Sequence, residues 1–166
     1  MRKLFFILCL FMFLVGCSNE QEEAETAKKN KSQENSSFQE QLENLMDENE
    51  FKYEEIIDLD IIDDYIYSVT VNFNGGLDLA IIKNNNGTLK WIAGSGDATI
   101  LQYEDSRYVY LIKPDDPEVK QVNVFDVPVK SVTYYHQQTE SYTREIKYWI
   151  AYTEKEPAPS VVEYIK

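Results

Sequence analysis

Residues 65–93 read YIYSVTVNFNGGLDLAIIKNNNGTLKWIA, and the punctuation of this stretch decides the fold class. Tyr65, Tyr67, Val69, Val71 and Phe73 alternate with Ile66, Ser68, Thr70 and Asn72, the two-residue period of a half-buried strand. Asn74-Gly75-Gly76 supplies a hairpin turn, and Leu77 to Lys83 reads as the return strand. Asn84 to Gly87 is a second turn, because Asn-Gly adopts positive φ at both central positions of a tight hairpin at little steric cost. Thr88 to Ala93 follows as a further strand. On the N-terminal side, residues 54–62 add a strand that ends at an Asp63-Asp64 turn, so four segments form a meander.

The pattern continues toward the C-terminus. Tyr108 to Lys113 is a strand, Pro114-Asp115-Asp116-Pro117 is a turn, and Val119 to Phe125, Val129 to His136 and Arg144 to Tyr152 read as strands. Glu154 to Pro159 is a Pro-rich break before an edge segment at Val161 to Ile165. Strands 108–113 and 144–152 carry apolar residues on both faces, which places them centrally. Many short strands at this spacing predict an all-β fold, mostly antiparallel, as a sandwich or as meander sheets. One short amphipathic helix precedes it. Ser37 and Glu40 have capping-box spacing, and Phe38, Leu42, Leu45 and Met46 share one helical face. The expected globular domain therefore spans residues 38–166.

The N-terminus is of another kind. Arg2 and Lys3 precede Leu4 to Val15, a run too short to cross a bilayer as a helix, which takes about 20 residues. The run ends in Leu14-Val15-Gly16-Cys17, which resembles the lipobox of bacterial lipoproteins. That resemblance implies a signal peptide over residues 1–16, cleavage after Gly16, and a diacylglycerol lipid on Cys17. Two acyl chains suffice for stable anchoring where one gives only marginal binding. Residues 17–37 then form an acidic and polar tether, because Ser18 to Ser37 contains no large apolar side chain to offset ordering entropy. The expected location is the outer face of the cell membrane, or the outer membrane in a two-membrane source. The stretches Thr88 to Gly94 and Lys147 to Tyr152 resemble small lipoproteins of Bacillus-like bacteria, a likeness that implies no activity.

Composition narrows the chemistry. The two cysteines are Cys9, inside the export run, and Cys17, so residues 38–166 hold no disulfide, thiol nucleophile or cysteine metal site. The formal net charge is -13. Residues 38–64 carry eleven acids against Lys52 alone, whereas residues 65–166 carry thirteen acids and ten bases. This balance argues against a nucleic-acid partner, which needs a basic footprint, and permits a basic protein partner at the cell surface.

Catalytic patterns are weak. His136 is the only histidine, and Ser95 sits in Gly94-Ser95-Gly96-Asp97, read as a flexible loop and lacking the strand–turn–helix context of a nucleophile elbow; Ala98 to Leu101 reads as strand. Asp58, Asp60, Asp63 and Asp64 are candidate calcium ligands, but Ile61-Ile62 interrupt any EF-hand spacing. On a strand, Asp58 and Asp60 share one face, expected to be solvent, with Ile57, Leu59 and Ile61 on the other. Tyr134, Tyr135, Tyr142, Tyr148, Trp149 and Tyr152 cluster late, and Trp149 is the candidate exposed contact residue. No cofactor is expected. The sequence thus points to a non-catalytic binding or interaction module on a lipid anchor. The alternatives are a cell-wall enzyme or small-ligand receptor, and an immunity or inhibitor protein facing a basic target.

Overall fold

A computed structural model of the chain describes residues 36–96 and 99–166. The expectations for the signal peptide, for Cys17 and for the tether through Asn35 lie outside the described residues, as do Asp97 and Ala98.

Helix α1 spans Phe38–Glu48. Its start is the expected capping box. The Glu40 amide donates to Ser37 Oγ at 3.2 Å, and the Ser37 amide donates to Glu40 Oε2 at 2.7 Å, which satisfies two of the donors that a helix start leaves unpaired. Leu42 and Met46 are buried. Compactness divides the chain between Leu42 and Glu43, inside this helix, and every sheet falls in the unit that begins at Glu43.

Eleven strands follow among the described residues, all paired antiparallel. Strands β1 (Glu55–Ile62), β2 (Tyr65–Val71), β3 (Leu77–Asn85) and β4 (Thr88–Gly96) form one meander in sequence order. Strands β5 (Ile100–Leu101), β6 (Tyr108–Ile112), β9 (Lys130–Thr139) and β10 (Tyr142–Thr153) form a second sheet in the order β5-β6-β10-β9. Strands β7 (Gln121–Val124), β8 (Val127–Pro128) and β11 (Val162–Ile165) form a third, ordered β11-β7-β8, and a short 3-10 turn at Pro159–Val161 leads into β11. The all-β expectation holds, and β6 and β10 are the two central strands of their sheet.

Three layers explain the burial. The first and second sheets share a core in which Tyr67, Val69, Val71, Leu79 and Ile81 meet Val109, Leu111, Ile146, Tyr148 and Ile150. The second sheet turns its other face, with Ile112, Trp149 and Ala151, onto Val119, Val122 and Val124 beside the third sheet. β10 is therefore covered on both faces. Each such aliphatic side chain contributes about 1.5–3 kcal/mol on full burial.

Two expectations change. β2 is not half-buried, since all seven of its residues are buried. Ser68 and Thr70 sit on the face away from the shared core, and their hydroxyls find no hydrogen-bond partner. Each such buried hydroxyl costs about 1–3 kcal/mol. Gly94-Ser95-Gly96 is not a loop but the end of β4, paired to Ala80, Leu79 and Asp78. Gly94 is needed there because a Cβ would lie 2.5 Å from the Trp91 ring and 2.7 Å from the Phe51 ring.

Candidate functional site

The register of β10 creates the site. β9 pairs with β10 only as far as Lys130 opposite Ile150, whereas β6 pairs on to Tyr108 opposite Thr153. From Ala151 to Thr153, no strand among the described residues pairs with the β9 side of β10. The chain before Lys130 has turned away, and the Val129 amide donates to the Val122 carbonyl at 3.0 Å, into the third sheet. A cleft of about 690 Å³ is left between the two sheets. Val124, Phe125, Val127, Pro128 and Val129 line it from the third-sheet side, and Ile150, Ala151, Tyr152 and Thr153 from β10, with Lys130, Glu154 and Lys155 completing the lining. This volume falls within the range of small-molecule and peptide-side-chain sites, about 300–1,000 Å³.

The rim of the cleft depends on a strained hairpin. β7 and β8 are joined by Phe125 and Asp126, at φ 52° and 62°. Both conformations lie in the left-handed region, where a non-glycine residue costs about 1–2 kcal/mol. Phe125 and Val127 are exposed, and Val127 keeps 61% of its surface. β8 is also the terminal strand of its sheet, as the proline in it allows.

Behind the cleft lies a polar cluster. The Lys130 ammonium donates to both Asp58 carboxylate oxygens at 2.8 Å and to Asp60 Oδ2 at 2.7 Å. The Tyr152 hydroxyl donates to the same Asp60 oxygen at 2.6 Å. Asp58 and Asp60 do not line the cleft; they hold in place two residues that do. Their side chains are 15% and 26% exposed, against 40% for Lys130.

The expected solvent face of β1 is thus corrected, and the register gives the reason. Pairing runs Ile56 with Thr70, then Asp58 with Val69, so Ile57 is an extra residue in a bulge. Cross-strand partners share a face. Asp58 opposite Val69 and Asp60 opposite Tyr67 therefore point toward the shared core, where Lys130 and Tyr152 receive them. Leu59 and Ile61 take the outer face instead, and Ile61 is 63% exposed. Charges are tolerated away from water because they are paired and hydrogen-bonded.

The cluster sets its own protonation. Burial works to lower the Lys130 ammonium, but hydrogen bonds to Asp58 and then Asp60 outweigh it and hold the pKa above the usual lysine value. Burial, then the bond to Asp60, pushes the Tyr152 phenol far above its ordinary range. Burial, then the charge of Asp58, does the same to Tyr148. Tyr152 is thus a fixed donor, and Lys130 directs its protons at Asp58 and Asp60 rather than into the cleft.

The other candidates fall elsewhere. Trp149 is not an exposed contact: it is 3% exposed and packs in the core between the second and third sheets, with Lys147 Nζ 4.7 Å from its ring centre. Its face of β10 is covered by β7, a pairing of sheets that the local period does not reveal. The four aspartates do not converge. Asp63 pairs with Arg107 at 3.3 Å, and Asp64 is exposed at the turn. Among the described residues no group of three or more His, Cys, Asp or Glu is arranged to hold a metal ion. His136 is buried on β9 with Nε2 3.6 Å from Glu54, six residues and about 20 Å from Lys130 at strand rise. Ser95 lies in β4 opposite Leu79.

Lys130, Phe125 and Val127 had not been singled out from the sequence. Pro128 is the one local signal for them, since a proline in a strand marks an edge. Comparison with known proteins adds no relative: no family model, curated protein or solved structure matches the chain.

Proposed function

We propose that this chain is a lipid-anchored extracytoplasmic binding module without catalytic activity, tethered through Cys17 and binding through the cleft beside Ala151–Thr153. The observation that carries the binding part is the cleft itself, an apolar space between the end of β10 and the terminal strand β8. Of its two lysines, Lys130 is committed to carboxylates behind it, as is the one phenol, Tyr152, while Lys155 lies beside Glu154 at the end of the lining. The anchor rests on Leu14 to Cys17 and the polar stretch that follows. A small-ligand receptor at the cell wall is the second reading. It is favoured by the cleft volume and by the Asp60–Tyr152 pair at its wall.

The test uses intact cells. Cross-linking the anchored protein, with a Cys17→Ser strain as control, is expected to capture a specific partner that the control loses. Detergent-phase partition of the chain, abolished by Cys17→Ser, reports the anchor separately. A chain that stays aqueous with Cys17 intact refutes the anchor. A chain that captures nothing moves weight to the small-ligand reading, for which melting shifts are the screen.

A further inference from the structure

We propose that the cleft takes an extended apolar peptide segment flanked by Lys or Arg, from a partner protein, which adds as a strand along the open edge of β10 at Ala151–Thr153. This rests on the reading of the cleft as a binding place and names its occupant.

The first reason is the register. Main-chain groups at a strand edge template a further strand, and such an edge needs a bulge, a charge, a proline or a cover to stay unpaired. Here β6 pairs as far as Thr153 while β9 stops at Ile150, so the main-chain groups of Ala151–Thr153 that face away from β6 have no strand partner among the described residues. The facing wall is a second edge, β8, which ends its own sheet. An extended segment entering between them meets main-chain partners on one flank and apolar pockets on both. That is the arrangement in which backbone bonds give affinity and alternate side chains give specificity.

The second reason is the hairpin at the mouth. The two-residue hairpin demands left-handed φ at Phe125 and Asp126, and here it is met without Asn or Gly, by a Phe that is 38% exposed at the cleft. Strain of this kind is kept where a side chain must be presented, and aromatic side chains anchor interfaces.

The third reason is charge. Asp126 lies between the lining residues Phe125 and Val127, and Glu154 and Glu156 flank Lys155, in a chain of formal net charge -13. Lys130 is neutralised by Asp58 and Asp60. The rim thus complements a basic segment. It opposes a second copy of this chain, which would bring the same acidic rim. Residues 18–35 of the chain itself, SNEQEEAETAKKNKSQEN, have no large apolar side chain with which to fill the cleft.

The probe is a fluorescein-labelled peptide, Lys-Val-Thr-Val-Thr-Val-Lys, titrated by anisotropy against the full-length chain in detergent. It is compared with the same peptide N-methylated at alternate amides and with its Lys→Glu form. Val127→Lys is the protein control. Val127 is largely exposed, so the variant keeps its fold, and circular dichroism checks this. The parent peptide is expected to bind. N-methylation, Lys→Glu and Val127→Lys should each weaken binding about tenfold or more, the loss that one or two hydrogen bonds or a charge reversal implies. Equal binding of parent and N-methylated peptides overturns strand addition and leaves the cleft as a binding place. No binding by any peptide overturns the proposal, and the binding-module reading is then judged by the cross-linking capture. A dimer in sedimentation that Val127→Lys dissociates would make a second copy the occupant and overturn it as well.

Discussion

Replacing Lys130 with Met removes one charge and leaves two. The methionine keeps most of the apolar stem and its packing. Asp58 and Asp60 lose their shared counter-ion. Their nearest oxygens lie within 2.8 Å and 2.7 Å of the Lys130 nitrogen, so they are at most about 5.5 Å apart. Two unit charges at that separation repel by about 3 kcal/mol at an effective dielectric of 20 and by under about 1 kcal/mol in water. Side-chain exposures of 15% and 26% put the pair between these limits, at about 1–2 kcal/mol. The lost hydrogen bonds add up to about 1 kcal/mol, discounted because Lys130 itself is 40% exposed. The expected loss is about 2 kcal/mol at pH 7, or a fall in Tm of roughly 6–10 °C. Asp60→Asn in the Lys130→Met background should restore about 1–2 kcal/mol of the loss. Urea melts of the wild type, Lys130→Met and the double variant at pH 7 measure this. A deficit below about 0.5 kcal/mol, or no recovery in the double variant, would refute the view that Lys130 holds two inward-facing carboxylates.

Three further outcomes follow from the same geometry. Lys130, Tyr148 and Tyr152 are held above their ordinary values, and burial with Glu55 beside it pushes Tyr134 up to about 12. The folded chain therefore keeps protons that the unfolded chain releases from about pH 10, so stability is full below that point and falls as pH rises through it, less steeply in Tyr152→Phe, by denaturant melts across the alkaline range. The double substitution Phe125→Asn with Asp126→Gly suits the left-handed turn and should stabilise by about 1 kcal/mol, while the loss of the exposed ring weakens peptide binding. Gly94→Ala drives a methyl into the Trp91 and Phe51 rings and should cost about 1–2 kcal/mol, with a change in tryptophan fluorescence; an unchanged Tm would mean that the rings move aside freely.

The parts of this fold that were legible in the sequence are those controlled by neighbours in the chain. The Ser37–Glu40 box, the turns at Gly75 and at Asn86-Gly87, and the central placing of 108–113 and 144–152 all come from local rules, and the structure keeps them. What was illegible depends on partners far away. A bulge at Ile57 turns Asp58 and Asp60 inward, and the pairing of Asp58 with Lys130 spans 72 positions. No period in residues 55–62 contains that information. Trp149 was misplaced for the same reason, because the layer that covers it is built from β7 and its neighbours. The hairpin at Phe125-Asp126 breaks the Asn-Gly preference that marks such turns, so its conformation was hidden by its own strain. The cleft arises where those two failures meet, at the end of β10 beside an unsignalled turn.

The full burial of β2 has a consequence for the chain when it is not folded. Tyr65 to Val71 reads YIYSVTV, seven residues with no charge, no proline and no glycine, rich in β-branched and aromatic side chains. Such a segment has the makeup of a self-stacking cross-β spine. In the native sheet it is shielded on both flanks, by β3 on one side and by β1 on the other. β1 is the terminal strand of that sheet, it is bulged, and it carries Asp58 and Asp60, with Asp63-Asp64 at the joining turn. Those acids flank the segment as gatekeepers. Peeling β1 away would expose one edge of these seven residues. The ion pairs from Lys130 to Asp58 and Asp60 therefore fasten that cover as well as supporting the cleft.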